Sequence, residues 1–195
     1  MTRTKMYFAS SALAIAATGA LAVSATMAVA AMDNPMVGGA EMSPQKNIIE
    51  NAVNSADHET LVAAVKAAGL VETLSGEGPF TVFAPTDAAF GMLREGAVEK
   101  LLEPGARDQL TQILTCHVVG ADAMAMAIKG MIDDDGGMHI VPTLGGCELK
   151  ATYEGDSIML GDERGRMITV TIADVKQSNG VIHVVDRVIL PPKPE

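Results

Sequence analysis

Tryptophan is absent from this chain of 195 residues, tyrosine occurs twice and phenylalanine four times, so aromatics make up only 3%. A surface that grips sugars or peptides through exposed indole or phenol rings is therefore not expected. Basic residues are outnumbered, 14 Lys and Arg against 24 Asp and Glu, for a formal net charge of −10. With no local basic patch, that balance excludes nucleic acid and anionic lipid surfaces as partners. The motifs of several chemistries are also missing. There is no G-x-S-x-G elbow for a nucleophile and no H-E-x-x-H or H-x-x-x-H spacing for a metal. Gly76-Glu77-Gly78 is too short for a phosphate loop, and Pro79 leads into a strand rather than a helix N-terminus. No cofactor motif is present.

What is there begins with an export signal. Arg3 and Lys5 precede a long Ala-, Leu- and Val-rich run, and Ala28-Val29-Ala30 offers small residues for cleavage. Residues 1–30 are expected to be a signal peptide cleaved after Ala30. The competing reading, an uncleaved anchor, is opposed by the Ser, Thr and Gly that interrupt the run. Loss of this segment removes two basic residues and no acidic one, deepening the negative charge by two units. The product is expected to be secreted or periplasmic, with no integral membrane segment after cleavage. Neither cysteine lies at the processing site, so lipid anchoring is not expected.

Residues 31–46 lack periodicity and are expected to form a flexible leader. Residues 47–190 are expected to form one domain, and residues 191–195 a short tail. Within the domain, Ile48, Ile49, Ala52 and Val53 fall at helical spacing. Leu61, Val62, Val65 and Leu70 repeat it, with Asp57 as N-cap and Gly69 as stop. Gly76 to Pro79 break the helix, Phe80 to Phe83 form a strand, and Thr86 caps a helix whose first turn contains Asp87. Val98, Leu101 and Leu102, then Leu110, Ile113 and Leu114, continue the helical pattern. After Gly130 come short β-type runs around Val141, Leu149–Tyr153, Ile158–Leu160, Met167–Ile172 and Val181–Leu190, joined by Gly, Asp and Asn turns. The fold class is α+β, a helical N-terminal layer packed on a β-rich C-terminal half.

Polar residues inside the apolar runs are the candidates for function. In Asn179–Leu190, alternation puts Val181, His183 and Val185 on one face and Ile182, Val184 and Asp186 on the other. A buried His or Asp without a partner would cost about 1–3 kcal/mol. Thr86, Asp87, His117, His183 and Asp186 are therefore expected to be framework groups. The rival is an envelope metal-dependent binder or hydrolase using His117 and His183. Adjacent Cys116 and His117, if in a strand, point to opposite faces and make no dyad with each other. His58 and His139 look exposed and isolated. The run Asp133-Asp134-Asp135-Gly136-Gly137 lacks the register of a calcium loop and is expected to be a solvated loop. Cys116 and Cys147 in an exported chain are a natural disulfide, two buried thiols being the other reading. The 13 methionines admit a small hydrophobic ligand, although core filling explains most of them.

Three segments carry a resemblance: TVFAPTDAAF at Thr81–Phe90, ILTCHVV at Ile113–Val119 and NGVIHVVDRVIL at Asn179–Leu190. In order and spacing, from about Asn47 to Leu190, they resemble the signature segments of the fasciclin domain, an extracellular module associated with cell adhesion. The resemblance implies a non-enzymatic adhesion or binding module with a protein or cell-surface matrix component as partner. The short exported form suggests a bacterial member. Where the family usually has Tyr before the His, this chain has Cys116, so that tyrosine's adhesive role does not transfer. Asp174-Val175 occupies the place of an Asp-Ile pair linked to integrin binding in animal members. A recognition role for it and a strand-edge role are both open.

Overall fold

The structure is a computed structural model that describes residues 34–193; the expected signal peptide at residues 1–30 lies outside the described residues. Its central feature is a pair of strands far apart in sequence. β3 (Phe80–Pro85) and β9 (Gly180–Val185) run parallel, from Phe80 opposite Gly180 to Pro85 opposite Val185. Parallel strands need both faces covered, and these two are apolar almost without alternation. Val82, Ala84, Ile182 and Val184 enter one core, while Phe83 and Val185 enter a second.

The other strands are β1 (Met36–Val37), β2 (Ala40–Glu41), β4 (Val118–Val119), β5 (His139–Pro142), β6 (Glu148–Glu154), β7 (Ser157–Gly161) and β8 (Met167–Gln177). The main sheet has the order β4-β3-β9-β8-β7-β6-β5. β8 pairs with β7 near its start and with β9 beyond it, with two register irregularities between Val170 and Val175. Such irregularities bend a strand and raise its twist. Ser178-Asn179 turn β8 into β9, and a Cβ on Gly180 would meet the Phe80 carbonyl oxygen at 1.9 Å.

The two margins of the sheet meet. Leu144 N–H donates to the Val118 carbonyl at 2.8 Å and Gly145 N–H to that of Thr115 at 3.0 Å. A Cys116–Cys147 disulfide spans the same junction, with the Cα atoms 5.3 Å apart. The curled sheet encloses the second core, including Leu149, Leu160 and Ile168.

Seven α-helices occur among the described residues, with a 3-10 helix at Pro104–Ala106: α1 (Ile48–Ala52), α2 (Glu59–Ala68), α3 (Val71–Ser75), α4 (Asp87–Gly91), α5 (Ala97–Leu101), α6 (Arg107–Thr115) and α7 (Ala125–Asp134). Leu61 and Val65 of α2, Phe90 of α4 and Ile113 and Leu114 of α6 build the first core against β3 and β9. Gly69 ends α2 at φ 74°, a left-handed conformation that glycine adopts without steric cost.

Several expectations need correction. The α+β class stands, but the simple partition into a helical N-terminal layer and a β-rich C-terminal half does not. β3 comes from the first half and lies inside the sheet, while α7 falls among the strands. α7 runs through Gly130 because burial of Ile128 and Ile132 outweighs glycine's poor helix propensity. The acidic run is thereby the end of a helix, with Asp133 and Asp134 inside it. The described part of the leader is held down: β1 and β2 form a hairpin, and Val37 and Met42 are buried. The Asn34 side-chain amide donates to the carbonyls of Met42 and Lys176. β9 ends at Val185 rather than continuing to Leu190.

Since the disulfide closes a separation of 31 residues, Cys116→Ala with Cys147→Ala is expected to lower unfolding free energy by about 3–4 kcal/mol in the chain-entropy model, with the fold retained. Urea denaturation followed by circular dichroism checks this; an unchanged midpoint would remove the bridge from the list of stabilising features.

Candidate functional site

Thr86, Asp87, His117, His183 and Asp186 are each occupied by backbone groups. Thr86 sits at the N-cap of α4, its hydroxyl accepting from Ala89 N–H at 3.2 Å. Asp87, one residue on, serves a different helix: its carboxylate accepts from Glu59 N–H at 3.3 Å and Thr60 N–H at 2.8 Å. Those are orphan donors of the first turn of α2, where a negative charge also suits the helix dipole. Asp57 was expected to cap α2, but the cap position is His58, and the Asp57 carbonyl instead accepts from Asp87 N–H at 2.8 Å.

His117 follows α6 and is 2% exposed. Its Nδ1 donates to the Ile113 carbonyl at 2.8 Å, and its Nε2 accepts from Ile189 N–H at 2.9 Å. A carbonyl can only accept and an amide N–H can only donate, so the ring is neutral with its proton on Nδ1. Burial lowers its pKa to about 4, with Arg166 acting in the same direction against the Ile113 bond. His183, fully buried on β9, has the opposite tautomer. Its Nε2 donates to the Ala123 carbonyl at 2.8 Å and its Nδ1 accepts from Asp174 N–H at 3.2 Å. Burial lowers its pKa as well. The ring stacks on Phe83 with centroids 5.7 Å apart. In both rings the only free lone pair already accepts a backbone proton. Neither can bind a metal or take a proton from a substrate without first breaking a buried bond.

Asp186 ends β9 by pairing with β8: its carboxylate accepts from Thr169 N–H at 2.8 Å and its own N–H donates to the Thr169 carbonyl at 3.1 Å. Asp174 stands at φ 59° within the irregular stretch of β8 and accepts from Ala125 N–H, the first residue of α7, at 2.7 Å. Val175 is fully buried in the first core. The Asp174-Val175 pair thus presents no exposed apolar side chain at Val175.

Several structural residues were not singled out from the sequence. The Asp162 carboxylate is buried between β7 and β8, accepts from Arg164 N–H and Arg166 N–H, and pairs with the Arg166 guanidinium. Arg166 and Arg164 in turn donate to the carbonyls of Val188 and Pro191, fastening the segment after β9. The Asn179 side chain accepts from Ile48 N–H and donates to Leu74 and Gly76 carbonyls, joining α1 and α3 to the turn before β9. An Asn-Gly pair signalled the turn, but nothing local signalled those partners. Thr81 is buried, donates to the Ala121 carbonyl and accepts from Ala123 N–H.

The two histidines expected to be exposed and isolated are neither. His58 is 3% exposed, and its Nδ1 lies 2.8 Å from the Ser55 hydroxyl. Its Nε2 has no hydrogen-bond partner. Burial lowers its pKa; the nearby Ala84 carbonyl opposes that shift, as do Asp57 and Asp87. His139, half-buried on β5, pairs with Asp135 at 2.5 Å. Asp133 accepts from the Tyr153 hydroxyl at 2.6 Å, so the acidic helix end is tied to neighbouring strands. No cluster of three or more metal-ligating side chains occurs among the described residues.

A model of the fasciclin domain matches residues 56–191. The chain is 48% identical over 145 residues to protein sll1483 of Synechocystis sp., covering 74% of this chain and 73% of that one. It is 37% identical over 132 residues to the transforming growth factor-beta-induced protein ig-h3 of Sus scrofa, covering 68% of this chain and 17% of that one. In fold it is similar to a FAS1 domain pair from the insect cell adhesion molecule fasciclin I, with a TM-score of 0.67 at 19% identity, over 74% of this chain and 51% of that one.

Two outcomes follow from the geometry. Because the folded state holds His117 neutral, its pKa lies below the ordinary 6.5. As pH falls from about 6.5 to about 4, the unfolded chain gains a proton that the folded chain refuses, and stability declines by about 3 kcal/mol; above that window His117 contributes no slope. His183 and His58 act in the same direction. His117→Gln is expected to be less stable at pH 7 but to lose stability less steeply on acidification; equal slopes for the two proteins would disprove the assignment. Asp87→Ala is expected to cost about 1–2 kcal/mol and to speed amide exchange in the first turn of α2 more than in α4. Faster exchange confined to α4 would show that the carboxylate does not serve α2.

Proposed function

The chain belongs to the fasciclin domain family, and from that premise we propose that it is a secreted or periplasmic adhesion or binding module of the cell surface and not an enzyme. The observation that supports this is the complete engagement of Thr86, Asp87, His117, His183 and Asp186 with backbone groups. These residues are framework: they shape the molecule and leave no acid, base or nucleophile for a reaction. A disulfide fits an oxidising compartment, as does the expected signal peptide. No helix among the described residues is long and apolar enough to cross a membrane. The relative in fold is named as a cell adhesion molecule.

The contact face we assign is the outer surface of β5 to β8. Register places Ile140, Lys150, Gly161 and Met167 in one cross-strand row, so their side chains share a face. Ile140 and Met167 are exposed there, as is Met138 next to β5. With Lys150 and Gly161 between them, these groups make a mixed row, and it is there that we place the contact. The partner is a protein or matrix component of the envelope or its surroundings.

Cells lacking the protein are expected to attach or aggregate differently from complemented cells, and Met167→Asp is expected to reproduce the deletion while remaining folded. Unchanged attachment in both strains would count against adhesion. Attachment lost in the deletion but normal with Met167→Asp would move the contact to another face. Mass spectrometry of the envelope-fraction protein is expected to find Ala31 as its first residue.

A further inference from the structure

Asn179-Gly180 is the only Asn-Gly pair in the chain, and the turn between β8 and β9 requires both members. A Cβ at Gly180 would collide with the Phe80 carbonyl, so β3 and β9 lie side by side only with glycine there. Asn179 is half-buried, and its side chain uses both N–H donors and its oxygen on other elements. Its Oδ1 accepts from Ile48 N–H at 3.0 Å, and its Nδ2 donates to the carbonyls of Leu74 and Gly76, each at 2.9 Å. Its own carbonyl accepts from Phe80 N–H at 3.1 Å. Thus α1, α3 and the start of β3 converge on one residue.

The same dipeptide is chemically fragile. Asparagine is thermolabile, and with no Cβ on the following residue a backbone nitrogen reaches its Cγ with little hindrance. The Gly180 nitrogen attacks Cγ, the Cγ–Nδ2 bond breaks, and ammonia leaves with the proton of the Gly180 N–H. Water then opens the cyclic imide at either carbonyl, giving aspartate or isoaspartate. That attack needs Cγ to swing onto the backbone, and the three side-chain hydrogen bonds oppose the rotation. Their partners, Ile48, Leu74 and Gly76, are distant in sequence, so the restraint exists only while α1 and α3 are docked on the turn.

The products do not fit the junction. Aspartate brings no donor to the Leu74 and Gly76 carbonyls and sets a negative charge against both. Isoaspartate adds a carbon to the main chain immediately before β9, where the register of Gly180 with Phe80 begins. We propose that Asn179 is a deamidation site that the native fold keeps shut, that it opens when α1 and α3 leave the β8–β9 turn, and that its products no longer hold the native junction. Loss of ammonia makes the step one-way. Chains that have stayed open are thereby marked, whatever contact the outer sheet face makes.

The test incubates the purified full-length chain in mildly alkaline buffer, folded and in urea, and follows the Asn179 peptide by mass spectrometry. Fragmentation separates aspartate from isoaspartate. The change of mass separates both from rearrangement at Asp135-Gly136, which passes through a similar ring without losing ammonia. Conversion is expected to be at least about tenfold slower in the folded chain. Asn47→Ala removes the N-cap of α1, leaves the three bonds of Asn179 in place, and is expected to raise the folded rate about fivefold with the urea rate unchanged. Asn179→Asp, which carries the aspartate product from the start, is expected to melt about 5 °C or more below the unmodified chain. Isoaspartyl chain is expected not to regain the native circular dichroism spectrum when urea is removed. Equal rates folded and in urea, a folded rate unmoved by Asn47→Ala, or a deamidated chain with the native melting temperature would each overturn the proposal. Should Asn47→Ala not fold, the folded rate is measured at urea concentrations below the transition, where it is expected to climb; a flat rate overturns the proposal equally.

Discussion

Everything in this molecule is arranged around one pairing, the parallel alignment of β3 with β9. Two strands covered on both faces leave no side for water, so any polar side chain on or beside them must be satisfied by the protein itself. That requirement explains the shared chemistry of the three segments. Thr81 and His183 bind the backbone leading into α7, His117 binds the segment after β9, and Asp87 binds the start of α2. Each reaches a backbone group on an element packed around the strand pair.

The local parts of this arrangement were legible in the sequence. The apolar run ending at Pro85, the Thr86 cap, the Gly69 stop and the Asn179-Gly180 turn are written in short-range patterns, and the structure places an element boundary at each. Features set by distant partners were not legible. Asp57 and Asp87 are equally good caps by composition, and only tertiary approach brings Asp87 to α2 while Asp57 offers its carbonyl instead. His58 looks like a surface residue because Asp57 and Glu59 flank it, yet it is buried against Ser55. The hairpin at Met36–Glu41 and helix α7 escape periodicity for a related reason. The first is too short to show a period, and the second carries a glycine that burial of its neighbours overrides.

For function, the same facts separate two roles that histidines in conserved-looking segments are often assumed to combine. His117 and His183 are buried, neutral and saturated by amides and carbonyls. His58 is buried and unsaturated. The first pair ties backbone groups of separate elements together. The third borders a small cavity with an almost wholly apolar lining.

The order of the strands also bears on how the chain comes into being. β9, a neighbour of β3 in the middle of the sheet, is the last strand to be synthesised, and the segment behind it is fastened by Asp162, Arg164 and Arg166. A nascent chain therefore has a vacancy beside β3 until β9 emerges, and contacts of such long sequence separation form slowly. Until then β3 has β4 as its only partner strand among those described, and the edge that β9 will occupy stays open.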